Sequence, residues 1–299
     1  MGIQGLKTFI EQRCPDGAMT VKISDRVKKA ISEYDINEAS LAIDANSCVH
    51  NWYKQTSKNG FTGGQWKEYQ MTLQNFITDC KNLNLNLIFF FDGTTELSKK
   101  SVWYTRQEAK LRDIETIFSC LDMGVMPKVP TMPPTVPYFS KYILSSLGQT
   151  VICADGDADY DIMKFAVETP ECIGVVANDT DYLAYPGSKP VFTPECFHPE
   201  NDKALMWHKP ALLKTLGLDE DDMPVFACLM GNDLTTDYSD ELKNFKRRLG
   251  RGEWTTSIAS TLNSFKSKNG CNLNLLEDQV LSHCEEFIFF CCSEIIYFT

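Results

Sequence analysis

Four hydrophobic runs along the chain are each followed at once by an aspartate. These runs end at Asp44, Asp92, Asp179 and Asp233. The first three are short and flanked by turn-forming residues, a pattern typical of buried parallel strands. Segments with helical spacing lie between them, and the alternation of strand and helix continues to about residue 233. The pattern therefore predicts an α/β fold with a parallel sheet flanked by helices.

The predicted helices are marked by apolar residues spaced three and four apart. The clearest covers residues 65–82, and its apolar residues are expected to face inward: Met71, Leu73, Phe76 and Ile77. Other helices are predicted at 3–13, 96–120, 138–147 and 157–168, and a short strand at 150–153. Residues 123–137 contain five prolines, which a regular helix does not tolerate, so this segment is predicted to be a loop.

The domain organisation follows from what the pattern lacks. There is no internal repeat and no interdomain linker, and 299 residues are enough for a sizeable core. We therefore expect one α/β domain over residues 1–235, followed by a helical extension of unknown role over residues 236–299. The extension begins with a basic patch at residues 243–251.

Composition and charge exclude several classes of protein. The net charge is −11. It is still −4 without the charges of seven aspartates that are predicted below to form a metal site, so a broadly basic nucleic-acid-binding surface is disfavoured. The twelve cysteines are scattered without a CxxC pair, which indicates free thiols and argues against a zinc site. No apolar run has membrane-spanning length, so no membrane partner is expected.

The aspartates predict a divalent-metal centre. Ligands bind beyond the carboxyl ends of strands in an open α/β sheet, where these side chains would meet. Carboxylates a few ångströms apart repel unless cations neutralise them, and oxygen ligands suit Mg²⁺ or Mn²⁺. Two such ions could activate a water and stabilise the leaving oxygen of a phosphodiester. The candidate ligands and catalytic residues are Asp44, Asp92, Asp157, Asp159, Asp179, Asp181 and Asp233. For each aspartate alone, the alternative is a turn or helix-capping residue.

A basic helix face begins seven residues after Asp92. Lys99, Trp103, Arg106 and Lys110 are spaced four, three and four apart, so they share one side of a helix. Cations with an aromatic ring between them could grip phosphates and stack a base. The alternative is a solvated helix face with the tryptophan packed inward.

Several motifs together resemble the flap-endonuclease superfamily, whose fold is PIN-like. They are MGIQGL at the start, Ile43-Asp44, Phe91-Asp92-Gly93, Asp157-Ala158-Asp159, Asp179-Thr180-Asp181 and Gly231-Asn232-Asp233. The resemblance implies that the seven aspartates bind metal and that Gly2 approaches the substrate. It also places Lys99, Lys100 and Arg106 beside the scissile phosphate. The chain departs from the pattern of this superfamily in two respects. It has aspartates at 157 and 159, where glutamates are usual, and it lacks the glycine-rich element after Asp233 that binds duplex DNA. Single-stranded or structured DNA or RNA is therefore the expected substrate class.

A second set of motifs is similar to the family of constitutive coactivators of peroxisome proliferator-activated receptor gamma and their Asteroid-like relatives. It comprises GGQW at 63–66, FFFDG at 89–93, LGQ at 147–149, DTDYL at 179–183 and CLMGND at 228–233. This resemblance implies a nuclear coactivator or RNA-associated scaffold with nuclear protein partners, in the nucleus or also in the cytoplasm. Two functions stay open: such a scaffold with a retained metal site, or an active Mg²⁺- or Mn²⁺-dependent nuclease.

Overall fold

The structure is a computed structural model that describes residues 2–56, 64–95, 100–127, 132–232, 239–249 and 253–269. The strands of this part are Ala18–Val21 (β1), Ala39–Asp44 (β2), Leu85–Phe91 (β3), Thr150–Cys153 (β4), Cys172–Val176 (β5), Val191–His198 (β6) and Lys203–Trp207 (β7). They form a sheet in the order β1-β7-β6-β5-β2-β3-β4. The predicted α/β fold is confirmed.

Helices lie between most of the strands and follow the last one along the chain. They are Leu6–Gln12 (α1), Ile23–Tyr34 (α2), Ala45–Thr56 (α3), Trp66–Asn82 (α4), Lys100–Asp122 (α5), Val136–Ser146 (α6), Asp159–Glu168 (α7), Lys209–Leu216 (α8), Met223–Met230 (α9), Ser239–Arg248 (α10) and Trp254–Asn269 (α11). The last two helices lie within residues 236–299, and the role of this predicted extension stays a prediction.

The middle of the sheet is formed by parallel strands that are buried on both faces. Strand β2 pairs in parallel with β3 on one side and with β5 on the other, and β3 pairs in parallel with β4. All six residues of β2 and all five of β5 are buried. Such strands have apolar residues at nearly every position, because helices cover both sides of a parallel sheet.

One part of the sheet departs from the parallel prediction. Strands β6 and β7 are neighbours in the sheet and are separated by only four residues, Pro199 to Asp202. Parallel strands need a crossover of a dozen residues or more, so this pair is antiparallel and the sheet is mixed. Asp202 takes the positive φ of 53° in this turn, a conformation that aspartate tolerates well.

One prediction from hydrophobicity is wrong, and one apolar run that the sequence assigns to neither a strand nor a helix is helical. The apolar run before Asn232 forms the second half of α9, in which all eight residues are buried. A short, wholly apolar run has no periodicity that separates a buried strand from a buried helix. In α4, Met71 is 54% exposed, although Leu73 and Ile77 face the core as predicted.

The chain divides into two compact units, each built from separate segments. One unit contains residues 1–20, 178–191 and 205–299, and the other contains residues 21–177 and 192–204. The predicted boundary at residue 235 lies outside the described residues and stays a prediction. None of the helices that the structure describes is both long enough and apolar enough to cross a membrane. We call the units the terminal unit and the central unit.

Candidate functional site

In the central unit, Asp44 occupies the carboxyl end of β2 and precedes α3 directly. Its Oδ1 accepts a hydrogen bond from the backbone N–H of Ser47 at 3.1 Å, and its Oδ2 accepts one from the Ser47 hydroxyl. This is the geometry of a helix N-cap, so Asp44 fixes the first turn of α3. Burial, and then the charge of Asp44, raises the pKa of the Cys48 thiol well above its usual range. Cys48 is therefore a protonated core residue and not a thiolate ligand.

Asp92 links three of the segments that the sequence predicted to meet. It lies just beyond β3 and is exposed. Its Oδ1 accepts a hydrogen bond from the backbone N–H of Ala158 at 3.1 Å, and its Oδ2 accepts one from the Asn46 side-chain amide. Asn46 belongs to the start of α3, and Ala158 lies between Asp157 and Asp159. The ends of β2 and β3 and the start of α7 therefore come together around Asp92.

The turn after Asp92 has no room for a side chain. A Cβ on Gly93 would lie 2.0 Å from the carbonyl oxygen of Ala154, so only glycine fits there. The backbone N–H of Gly93 donates to the oxygen of Gly156 at 2.7 Å, and that of Thr94 donates to the oxygen of Asp155 at 3.0 Å. These contacts fix the backbone on both sides of the acidic residues. Asp157 adds a local turn, because its Oδ1 accepts the backbone N–H of Asp159 at 3.3 Å.

Lys141 is a functional candidate that the sequence analysis missed. It lies on α6, and its Nζ donates to the backbone oxygen of Asp92 at 3.4 Å. The same nitrogen is 5.1 Å from the centre of the Phe91 ring. These contacts place a cation at the carboxyl end of β3. No local pattern could identify Lys141, because it is 49 residues away from Asp92 along the chain.

In the terminal unit, Asp179 and Asp181 form a turn that packs tightly on the start of the chain. The Oδ1 of Asp179 accepts the backbone N–H of Asp181 at 2.9 Å. Gly2 has a φ of 92°, and a Cβ there would lie 2.1 Å from that same Oδ1 and 2.7 Å from the backbone nitrogen of Thr180. Glycine is required at position 2 by this close approach. Whether Gly2 also approaches a substrate stays a prediction.

Two further contacts hold this turn to the start of the chain. Lys7 donates from Nζ to Oδ1 of Asn178 at 2.9 Å, and the buried Thr180 hydroxyl donates to the backbone oxygen of Ile3 at 3.4 Å. The sequence analysis did not single out Lys7, since its spacing carries no distinctive signal. The turn that contains Asp179 and Asp181 is thus positioned by residues more than 170 places away.

The structure tests the metal prediction only in part. Carboxylate oxygens are the ligands that Mg²⁺ and Mn²⁺ prefer, so the chemistry of the predicted residues fits such an ion. Within the described ranges, however, no group of three or more His, Cys, Asp or Glu side chains is arranged to hold a metal ion. Asp233 lies outside the described residues. The seven-aspartate centre therefore stays a prediction.

Helix α5 carries the predicted basic face, and the face is exposed. Lys100, Arg106 and Lys110 are exposed, and Trp103 is 41% exposed, so the alternative of an inward-packed tryptophan is wrong. The Trp103 ring packs edge-on against Tyr104 with centroids 5.3 Å apart, and the Lys100 Nζ lies 5.8 Å from the Tyr104 ring. Lys99 lies outside the described residues. Cations and aromatic rings thus lie side by side in solvent along the first three turns of α5.

Comparison with known proteins gives relatives for most of the chain. No protein-family model matches it. The mouse "constitutive coactivator of peroxisome proliferator-activated receptor gamma" is 31% identical over 249 residues, which cover 82% of this chain and 31% of that protein. The zebrafish "single-strand DNA endonuclease ASTE1" is 21% identical over 284 residues, which cover 90% of this chain and 38% of that protein. The chain thus spans about a third of the length of these relatives.

A solved structure with the same fold is that of the Holliday junction-resolving enzyme GEN1 in complex with product DNA and Mg²⁺. It superimposes with a TM-score of 0.57 at 15% identity and covers 94% of this chain and 56% of GEN1. At this identity the likeness concerns the fold alone. The fold predicted from the sequence, a flap-endonuclease-like sheet with flanking helices, is confirmed by this match.

Proposed function

Because the chain belongs, over the domain that it spans, to the family of constitutive coactivators of peroxisome proliferator-activated receptor gamma, we propose that it is the nucleic-acid-binding domain of a nuclear coactivator-like protein. The domain binds single-stranded or structured DNA or RNA through the exposed face of α5 and retains a divalent-cation site at its acidic residues. Nuclear protein partners assemble with the same domain. Localisation in the nucleus is part of the proposal and is supported by the names of the relatives.

The observation that carries this proposal is the exposure of the α5 face. Trp103, Arg106 and Lys110 occupy one side of the helix, Lys100 is its first residue, and all four are exposed and accessible to a ligand. A protein with a net charge of −11 repels phosphates over most of its surface. A local stripe that alternates cations with aromatic rings is the arrangement that overcomes this repulsion, because it supplies both phosphate contacts and base stacking.

The divalent cation is proposed to bind at carboxylates of the predicted set. Asp44 and Asp92 are the candidates in the central unit, together with Asp157 and Asp159, and Asp179 and Asp181 are the candidates in the terminal unit. A bound Mg²⁺ or Mn²⁺ would neutralise phosphate charge and acidify a coordinated water. Asn46 and the Ala158 N–H orient the Asp92 carboxylate from both oxygens, which is the role that outer hydrogen-bond partners have at metal sites.

A second candidate function is phosphodiester hydrolysis by a two-metal mechanism. The number of aspartates at strand and turn ends favours it, and so does the name of the zebrafish relative, a single-strand DNA endonuclease. In that case the same carboxylates would act on a single-stranded or structured substrate.

The α5 face is tested by the binding of fluorescein-labelled single-stranded 20-mers of DNA and RNA, measured by anisotropy in EDTA. The double variant Arg106→Ala/Lys110→Ala is compared with Arg112→Ala, which removes a cation from the opposite side of the same helix. We expect the double variant to bind more weakly. The slope of log K against the logarithm of the salt concentration should become shallower by about 1.4, the change expected for the loss of two phosphate contacts with a single strand. Arg112→Ala should bind like the wild type. Failure of the wild type to bind either oligomer would contradict the proposal.

The metal site and the two candidate functions are separated by calorimetry and a cleavage assay. Mn²⁺ and Mg²⁺ are titrated into the wild type, Asp92→Asn, the double variant Asp179→Asn/Asp181→Asn, and the control Asp155→Asn, an exposed aspartate outside the predicted set. Metal binding that is weakened by the first two variants, without cleavage of the 20-mers, is the expected result. Cleavage that the same variants abolish would establish the nuclease. No metal binding in the wild type would eliminate the cation site.

A further inference from the structure

Helix α6 presents a second aromatic and cationic surface, formed by Tyr138, Lys141 and Tyr142, which we call the α6 platform. The side chains of Tyr138 and Tyr142 are 73% and 70% exposed, more than any other aromatic side chain that the structure describes. They are four residues apart and therefore one turn apart on the same face of the helix. Lys141 lies between them in the sequence.

One ring of the platform, that of Tyr142, is supported by two other aromatic rings. The Tyr142 ring stacks on Phe139, with centroids 6.3 Å apart and an angle of 23° between the planes. Phe139 in turn packs edge-on against Trp66 at 4.7 Å. A ring held in this way loses little conformational freedom when a flat ligand stacks on it, so binding is not opposed by a large entropy cost.

The cation of the platform points toward the carboxyl end of β3. The Lys141 Nζ is 5.9 Å from the centre of the Tyr138 ring and 3.4 Å from the backbone oxygen of Asp92. An anionic group that contacts this ammonium would therefore lie between an exposed ring and the acidic residue at the strand end. The platform therefore combines a surface on which bases can stack with one ammonium group that can bind one phosphate.

We propose that the α6 platform binds single-stranded nucleic acid, with bases stacked on Tyr138 and Tyr142 and a backbone phosphate held by Lys141 next to Asp92. The inference rests on the proposed function and deepens it, since it names a second contact surface and the part of the ligand that each residue recognises. Nucleic acid is the occupant that the observations favour, because alternating rings and a cation match alternating bases and phosphates. The alternative occupant is a protein partner, in which case the alanine substitutions would leave nucleic-acid binding unchanged.

The experiment measures the affinity of the full chain for four fluorescein-labelled 12-mers in EDTA. They are single-stranded DNA, single-stranded RNA, and an abasic form of each, which keeps the phosphates but lacks bases. The variants are Tyr138→Ala/Tyr142→Ala, the conservative Tyr138→Phe/Tyr142→Phe, and Lys141→Gln. Tyr160→Ala is the matched control, because Tyr160 is also exposed and lies 5.9 Å from a lysine ammonium, that of Lys164, on another helix. Circular dichroism checks that each variant is folded.

We expect Tyr138→Ala/Tyr142→Ala to weaken binding of the base-containing oligomers by about 25-fold, which is about fivefold for each stacked base. The phenylalanine variant should bind like the wild type. The alanine variant should bind the abasic oligomers as tightly as the wild type does. Lys141→Gln should lower the salt slope by about 0.7 with every oligomer. The stronger of the DNA and RNA responses identifies the sugar that the platform prefers.

Three results would overturn the inference. Equal binding by the alanine variant and the wild type would show that the platform does not touch nucleic acid, and would leave the proposed function intact if Arg106→Ala/Lys110→Ala still weakens binding. An equal loss with the abasic oligomers would exclude stacking. Absence of binding by the wild type would overturn the proposed function together with the inference.

Discussion

Helices α4 and α5 are adjacent along the chain and differ in how they use their side chains. Helix α4 has 17 residues and buries Tyr69, Leu73, Ile77 and Cys80 along one face. Helix α5 has 23 residues, and Ile117 is the one fully buried side chain among those described on it. The longer helix therefore contributes less to the core than the shorter one.

The difference separates a helix that packs into the core from a helix whose side chains stay accessible. Most of the stability of a helix in a folded protein comes from packing an apolar face, and α4 has such a face. Helix α5 depends instead on residues with high helix propensity, such as its alanine, glutamate, arginine and lysine residues. Its aromatic and basic side chains stay in solvent, where a ligand can reach them. Substitutions should therefore affect folding in α4 and binding in α5.

The largest expected effect is that of truncating the α4 face. Leu73 is fully buried, and Leu73→Ala would leave a cavity that the surrounding side chains fill only in part. We expect the free energy of unfolding to fall by about 2–5 kcal/mol. Urea denaturation followed by circular dichroism measures it.

The control for this substitution lies two residues away on the same helix. Met71 is 54% exposed, so Met71→Ala should change the free energy of unfolding by less than about 0.5 kcal/mol. Similar losses for the two variants would show that the face of α4 that packs against the core is not the one described.

The same two residues show what the sequence could and could not predict. Residues 65–82 were predicted as a helix and α4 covers Trp66–Asn82, because local spacing determines such an element. Met71 was assigned to the core because it is apolar, whereas Tyr69 and Cys80, at the right spacing from Leu73, form part of the buried face. The apolar character of a side chain does not by itself show that it faces the core, and tertiary packing decides which face of α4 is buried.

Residues of the candidate site divide in a similar way. Asp44 and Asp92 were predicted at strand ends, and the structure places them there because a strand and the turn after it are local features. Lys141 and Lys7 escaped prediction, because their contacts with Asp92 and Asn178 join residues 49 and 171 positions apart. The apolar run in α9 carries no assignment from the sequence, because a wholly buried helix lacks the polar face that gives a helix its period.

A smaller effect is expected from the buried thiol of α4 at alkaline pH. Burial raises the pKa of Cys80 above its ordinary value of 9.0. The unfolded chain therefore releases this proton at a lower pH than the folded chain does. The stabilisation is complete below the unfolded pKa and is lost as pH rises toward the folded pKa, by up to about 1.4 kcal/mol for each pH unit.

We expect Cys80→Ala to flatten the fall in unfolding free energy between pH 8.5 and pH 10, measured by urea denaturation at several pH values. Cys153→Ala removes an exposed thiol on β4 and is the control, which should keep the wild-type slope. An unchanged slope in Cys80→Ala would mean that the thiol ionises equally in the folded and unfolded chains.

The smallest effect on stability is expected at the aromatic residue of the α5 face. Trp103 is 41% exposed and packs on Tyr104 of the same helix, so its loss leaves no cavity in the core. Trp103→Ala should lower the free energy of unfolding by no more than about 0.5 kcal/mol, while it weakens binding of a single-stranded 20-mer about fivefold or more. Urea denaturation and fluorescence anisotropy on the same protein sample measure both. A loss of stability near that of Leu73→Ala would mean that Trp103 is a core residue, and the contrast between α4 and α5 would then not hold. A small loss of stability combined with weaker binding would show that a helix of this length can be kept for its ligand contacts and not for its packing.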